Sequence, residues 1–192
     1  MQYKIININD ITDTEYNYFY SLMSDEKKAR VDKFRFTDDK KRTIAGEMLA
    51  RRMIADYCNI HVEDINFYTN EYGKPFAKNL DVEFNISHSY NLVICAVSDK
   101  PIGVDIEKIR EIDELVISRV CTDNETNYVC DRSLSHQESL KRFFEIWTFK
   151  EAYFKCIGTG IVDLIEIDIF NTNFTHLNHI FINDYSICIY QE

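Results

Sequence analysis

The sequence predicts an α+β chain of two lobes, on three observations. Two long stretches, about 38–58 and 136–158, carry apolar residues at helical spacing; both halves of the chain also carry short strand-like runs; and no linker or low-complexity segment interrupts the pattern. Each half therefore offers helices plus a small sheet. The boundary falls near residue 100, giving an N-terminal lobe over 1–100 and a C-terminal lobe over 101–192, although the letters show no convincing internal repeat.

Residues 3–8 read as a short strand, and Thr12-x-x-Glu15 is a capping box opening a helix with Tyr16, Phe19, Tyr20 and Met23 along it. Ser24 caps the next helix, Asp25 to about Phe34. A long helix over Asp38–Cys58 offers Ile44, Ala45, Met48, Leu49 and Ile54 to a core. Residues 65–69 form a strand, and Glu71-Tyr72-Gly73-Lys74-Pro75 a turn in which Gly is free to take positive φ and Pro fixes the exit. Strands at 82–86, 92–97 and 103–107 follow, the first running into Ser87-His88-Ser89. Helices are expected over 111–121 and 123–131, the second opened by Thr122-x-x-Glu125; Ser135-x-x-Glu138 then caps the second long helix, which Gly158 stops. Alternating stretches at 164–170, 179–183 and 185–190 read as an antiparallel meander.

The 192 residues include 13 Phe and 12 Tyr, enough to fill a core, and only 5 Gly and 2 Pro, so long irregular loops are not expected. A net charge of −10 argues against a general polyanion binder and so against nucleic acid as partner. Within that acidic chain Lys27, Lys28, Arg30, Lys33, Arg35, Lys40, Lys41 and Arg42 reverse the sign locally; they read as a solvated basic face or as an anion site, with Thr43 and Arg42 near a helix start that also favours anions. The six cysteines show neither C-x-x-C pairing nor zinc spacing, which favours free thiols in a reducing compartment. No apolar run approaches the roughly 20 residues of a membrane span, and the start lacks a signal-peptide layout, so a cytoplasmic protein without a membrane partner is expected.

The chemistry gathers on two acidic pieces. In the strand Gly103-Val104-Asp105-Ile106-Glu107 side chains alternate, so Asp105 and Glu107 share one face and Val104 and Ile106 the other. In the second long helix, apolar Leu140, Phe143, Phe144, Trp147, Phe154 and Ile157 define a stripe that Lys150 and Glu151 interrupt. Charges on a buried stripe are paired, metal-bound or chemically active, since desolvating them otherwise costs several kcal/mol. Glu151 is therefore expected to meet Asp105 and Glu107. Trp147, Glu151 and Lys155, each four apart, rise along one face as aromatic, acid and base. Three converging carboxylates suit a hard divalent cation such as Mg²⁺, with Lys155 and His88 facing phosphate oxygens and Lys150 either sharing them or balancing the acids. A lone histidine is more often structural, but two hydroxyls flank His88 at a strand end. Such a set predicts phosphoryl-type transfer; spacing alone does not choose among nuclease, phosphohydrolase and transferase.

The segments FNISHS, IGVDIEKI and FFEIWTFKEAYFKCIGTGI, in that order, with RTIAGEMLARR and NEYGKP upstream, resemble the Sfp-type 4′-phosphopantetheinyl transferases over nearly the whole chain to about residue 170. The resemblance implies a pseudo-twofold arrangement of two similar α+β lobes with coenzyme A bound in the cleft between them. It also implies transfer of the phosphopantetheine arm to a serine of an apo acyl, peptidyl or polyketide carrier protein, releasing adenosine 3′,5′-bisphosphate. By motif position Asp105, Glu107 and Glu151 would hold Mg²⁺, and Glu151 would take the serine proton. Lys155 and His88 would contact phosphates, with Ser87 beside them. Lys27, Arg30 and Thr43 match the grip on the 3′-phosphate, with Lys28 and Lys33 as alternates, while Lys74 and Pro75 would border the adenine. A monomer suffices for such a chain. The competing reading is a non-catalytic coenzyme A or carrier-protein binder. No family motif is visible after residue 170.

Overall fold

Side-chain caps set where most helices begin. In the computed structural model, which describes residues 1–160, 163–171 and 177–192, the hydroxyls of Thr12, Thr122 and Ser135 accept from the backbone N–H of Glu15, Glu125 and Glu138, and each glutamate reaches back to its cap. Ser24 accepts from Lys27 N, and Asp113 from Leu115 N, which moves the start of the helix expected at 111 to Glu114.

The chain divides into two units, Met1–Pro101 and Ile102–Glu192. The first runs β1 (Gln2–Asn7), α1 (Asp13–Leu22), α2 (Asp25–Asp32), α3 (Thr37–Cys58), β2 (Phe67–Thr69), β3 (Pro75–Ala77), β4 (Glu83–Ser89) and β5 (Leu92–Ser98). Its main sheet has the order β1-β5-β4, antiparallel throughout, and β2 and β3 form a separate two-stranded ribbon. The apolar stripe of α3 (Ala45, Leu49, Met53) is buried in one cluster with Phe84 of β4 and Val93, Cys95 and Val97 of β5.

The second unit runs β6 (Ile102–Lys108), α4 (Glu114–Val120), α5 (Asp123–Val129), α6 (His136–Ile157), β7 (Leu177–Ile182) and β8 (Tyr185–Gln191). Its sheet has the order β6-β8-β7, again antiparallel. Taken separately, the two units repeat one plan. Each has a first strand, two short helices, a helix of 22 residues and a closing hairpin whose last strand takes the centre of the sheet. The α+β class is as expected, and the repeat that the letters conceal lies in the order of elements.

The expected strand at 164–170 is not one. Leu164–Glu166 is a 3-10 turn capped by Asp163, and the backbone beyond it bonds to side chains: Ile169 N donates to Glu125 Oε1 at 2.9 Å and Phe170 N to Asp168 Oδ1 at 2.9 Å. The sheet's third strand is β6 instead. Ile161, the last letter of the helix motif, lies outside the described residues. Gly158 ends α6 at φ 79°, a left-handed conformation that glycine adopts without a Cβ penalty. All six cysteines are free; Cys95, Cys121, Cys156 and Cys188 are buried, Cys58 is half-buried and Cys130 exposed.

Behind β8 lies a polar knot. His179 Nε2 stands 2.9 Å from Ser186 Oγ, whose hydroxyl lies 3.0 Å from both Phe144 O and Thr148 Oγ1. Burial holds the imidazole neutral and pushes its pKa down to about 4. A depressed folded-state value gives stability that is present above the unfolded value and is lost as pH falls toward the folded one. Stability of the second unit is therefore expected to drop by roughly 1–2 kcal/mol between about pH 6.5 and pH 4 on account of this ring. Urea midpoints across that window should decline less in His179→Gln than in the parent chain.

Candidate active site

Gly103, Asp105 and Glu107 occupy alternate positions of β6 and so share one face of the strand. The glycine decides how near α6 can lie. A Cβ at Gly103 would fall well under 3.0 Å from Ala152 O and Cys156 N, so the strand and helix backbones meet without a side chain between them. One helical turn about this contact carries Glu151 and Lys155 to the carboxylates of β6. Gly103 was not among the expected functional positions; a glycine inside a strand of branched residues was the signal for it.

Lys155 Nζ lies 2.5 Å from Asp105 Oδ1 and 4.0 Å from Glu151 Oε2. Asp105 is 3% exposed, and the side chains of Glu151 and Lys155 are 13% and 29% exposed. Burial pushes the Glu151 carboxyl up to about 7; Lys155 opposes that shift, while Asp105 and Glu107 add to it. For Lys155, burial alone would lower the ammonium, but Asp105, Glu151 and Glu107 outweigh it and raise its pKa above the ordinary lysine value. Asp105 and Glu107 thus act electrostatically on Glu151, and Lys155 stands between Asp105 and Glu151.

Lys150 lies elsewhere. It is wholly buried, and its Nζ donates to Val120 O at 2.7 Å, Leu164 O at 2.8 Å and Glu125 Oε2 at 2.5 Å. Of the two roles open to it, sharing phosphates or balancing the acids of β6, Lys150 takes neither, and its carboxylate partner is Glu125. All three of its N–H donors are spent inside the second unit. The remaining residue of the predicted face, Trp147, packs on Phe143 with ring centroids 5.7 Å apart.

In the first unit Arg30 and His88 are exposed, Lys27 and Thr43 half-buried, and Ser87 buried. Lys27 Nζ stands 2.5 Å from Glu47 Oε2. Thr43 Oγ1 donates to Asp39 O at 3.0 Å. Lys74, on the turn held by Asn70, lies 3.9 Å from Glu83 Oε2 and over the Phe76 ring, with Pro75 opening β3 beside it.

A hard divalent ion takes oxygen donors, often several carboxylates. Asp105, Glu107 and Glu151 supply that chemistry, and Lys155 already holds a cationic position among them. Among the described residues no three acidic, His or Cys side chains stand at distances to hold a metal together. The donor set fits the ion in kind, and Lys155 would have to yield its place on Asp105.

Two family models match the chain in succession: the 4′-phosphopantetheinyl transferase N-terminal family over residues 10–100 and the 4′-phosphopantetheinyl transferase superfamily over residues 101–191. The chain is 40% identical over 153 residues to 4′-phosphopantetheinyl transferase gsp of Aneurinibacillus migulanus, covering 80% of this chain and 63% of that one. It is 38% identical to psf-1 of Bacillus pumilus, covering 73% and 60%. To Sfp of Bacillus subtilis (strain 168) it is 34% identical over 160 residues, covering 83% and 70%. It thus spans less than two thirds of the first two relatives. With both halves matched in order and these identities sustained over most of its length, the chain belongs to the 4′-phosphopantetheinyl transferase family.

Proposed function

We propose that this protein transfers the 4′-phosphopantetheine arm of coenzyme A to a serine hydroxyl of an apo carrier protein and releases adenosine 3′,5′-bisphosphate. The observation that carries the reading is Glu151, a carboxyl pushed up to about 7 among Asp105, Glu107 and Lys155. The names of the relatives supply the reaction class.

In this reading the serine oxygen forms a bond to the phosphorus of the pantetheine phosphate, and the bond to the nucleotide's 5′-phosphate breaks. Glu151, whose carboxyl burial pushes up to about 7, accepts the serine proton. Lys155, now on Asp105, would pass its ammonium to an oxygen of the pyrophosphate. Asp105, Glu107 and Glu151 would hold Mg²⁺, which when bound neutralises negative charge on those oxygens. Lys27, Arg30, Thr43, Ser87 and His88 are proposed for the phosphates, and Lys74 and Pro75 for the adenine. Lys27 would leave Glu47 to do so. The lobes 1–100 and 101–192 act together in a monomer, with a cytoplasmic setting and neither nucleic acid nor membrane as partner. Among the described residues no helix is long and apolar enough to cross a membrane.

Chromatography of the nucleotide product tests the reading. Adenosine 3′,5′-bisphosphate is expected only when coenzyme A, Mg²⁺ and an apo carrier are all present. Its release without any carrier would mean a phosphohydrolase, and coenzyme A binding without release under any condition would mean a binder.

A further inference from the structure

Lys150 is an expensive residue to bury. A charge withdrawn from water is tolerated when it is paired and fully hydrogen-bonded, and even then an apolar pair of similar volume is often as stable. Here the bonding is complete. Lys150 gives its three donors to Val120 O, Leu164 O and Glu125. Glu125, 0% exposed, accepts in addition from Thr122 N at 2.8 Å and Ile169 N at 2.9 Å. One side chain on α6 thereby fastens the last residue of α4, the 3-10 turn at Leu164 and the cap of α5.

The first unit contains the same device. Lys150 is the fifteenth residue of α6, and Arg51 is the fifteenth of α3. Arg51, 4% exposed, donates to Leu22 O at 2.9 Å, to Val62 O at 2.9 Å, to Ile65 O at 2.7 Å and to Glu47 Oε1 at 2.6 Å. Leu22 is the last residue of α1, and Val62 opens the 3-10 turn that follows α3. In both units a buried cation at one helical position gathers the end of the first short helix and the turn after the long one. The next residue differs in use. In the first unit it is Arg52, paired with Glu15 and lying over the Phe19 ring; in the second it is Glu151.

A helix lying on a strand can still roll about its axis. The Gly103 contact fixes how close α6 comes to β6, and the Lys150 bonds run to other elements, so they fix the roll. A carboxylate about 6 Å from a helix axis moves about 1 Å for a 10° roll, and a misplacement of about 1 Å can cost on the order of 100-fold in rate.

We propose that Lys150, with Glu125, is a positioning residue that sets the roll of α6 and thereby the place of the Glu151 carboxylate among Asp105, Glu107 and Lys155. The assignment rests on the transferase reading above. Its test is the double variant Lys150→Met/Glu125→Gln, which removes the ion pair and keeps one carbonyl oxygen to accept from Thr122 N or Ile169 N, though not from both. The variant is expected to stay folded by circular dichroism. Its kcat should fall about tenfold or more while the KM for coenzyme A stays within about twofold. Its Mg²⁺ affinity, measured by calorimetry with coenzyme A present, should fall as well. A folded variant with kcat and Mg²⁺ affinity equal to the parent chain overturns the proposal, as does a change confined to KM. If the double variant does not fold, Glu125→Asp alone keeps the charge and both carboxylate oxygens but shortens their reach to Lys150 by one methylene, and an unchanged kcat there is equally fatal. Absence of transfer by the parent chain defeats the transferase reading instead, and the Mg²⁺ titration then decides the positioning role by itself.

Discussion

Glu151→Gln is expected to lower the rate of phosphopantetheine transfer by about 10²–10⁴-fold, the span of general-base catalysis, and at the same time to stabilise the metal-free protein above neutral pH. The two effects have one origin. Burial, with Asp105 and Glu107 nearby, raises Glu151 to about 7 against an ordinary value of 4.5. A group raised in the folded state contributes stability that is complete below its unfolded value and is lost as pH rises through its folded one. Between about pH 4.5 and pH 7 the parent chain therefore gives up as much as about 3 kcal/mol at this carboxyl. Glutamine keeps the shape and cannot ionise. Thermal melts in chelator at pH 8 should place Glu151→Gln above the parent chain, and melts at pH 4 should bring the two together. A variant that loses both activity and stability at pH 8 would mean that Glu151 is structural.

Gly103→Ala is expected to cost about 3 kcal/mol or more, at the upper end of overpacking effects. The added methyl would meet the main chain of α6, at Ala152 O and Cys156 N, so no side-chain rotation relieves the clash. Either α6 lifts from β6 or the second unit unfolds. In a folded remnant the helix would carry Glu151 and Lys155 away from Asp105, so transfer falls beyond what lost stability explains. Urea denaturation with transfer rates measured on the folded fraction checks both parts. A midpoint unchanged from the parent chain would contradict the close approach of strand and helix.

What could be read from the letters was local. The boxes at Thr12, Thr122 and Ser135 involve residues three apart, and the stop at Gly158 needs only its own φ, so the helix limits followed from sequence. The acids of β6 follow from strand alternation, and their partner Glu151 from a charge on an apolar stripe. Lys150 stood on the same stripe, and its role was hidden because its partners, Val120 and Glu125, lie 30 and 25 residues away. The stretch 164–170 misled for the same reason. Its alternation is that of a strand, but Lys150 and Glu125 take its backbone groups before a neighbouring strand could. Two similar lobes were expected from the helices and strands in each half, but no repeat showed in the letters, because the units share topology and a buried cation, arginine in one and lysine in the other, rather than residues.

The central claim, that this chain moves phosphopantetheine to a carrier serine by means of Glu151 and its neighbours, is tested most directly by intact-protein mass spectrometry of an apo carrier incubated with the protein, coenzyme A and Mg²⁺. The account predicts that the carrier gains the mass of one phosphopantetheine group on its serine, and that Asp105→Ala and Glu151→Gln show no gain in the time the parent chain needs to complete it. Carriers of fatty acid, polyketide and nonribosomal peptide type that all keep their starting mass with the parent chain would contradict it.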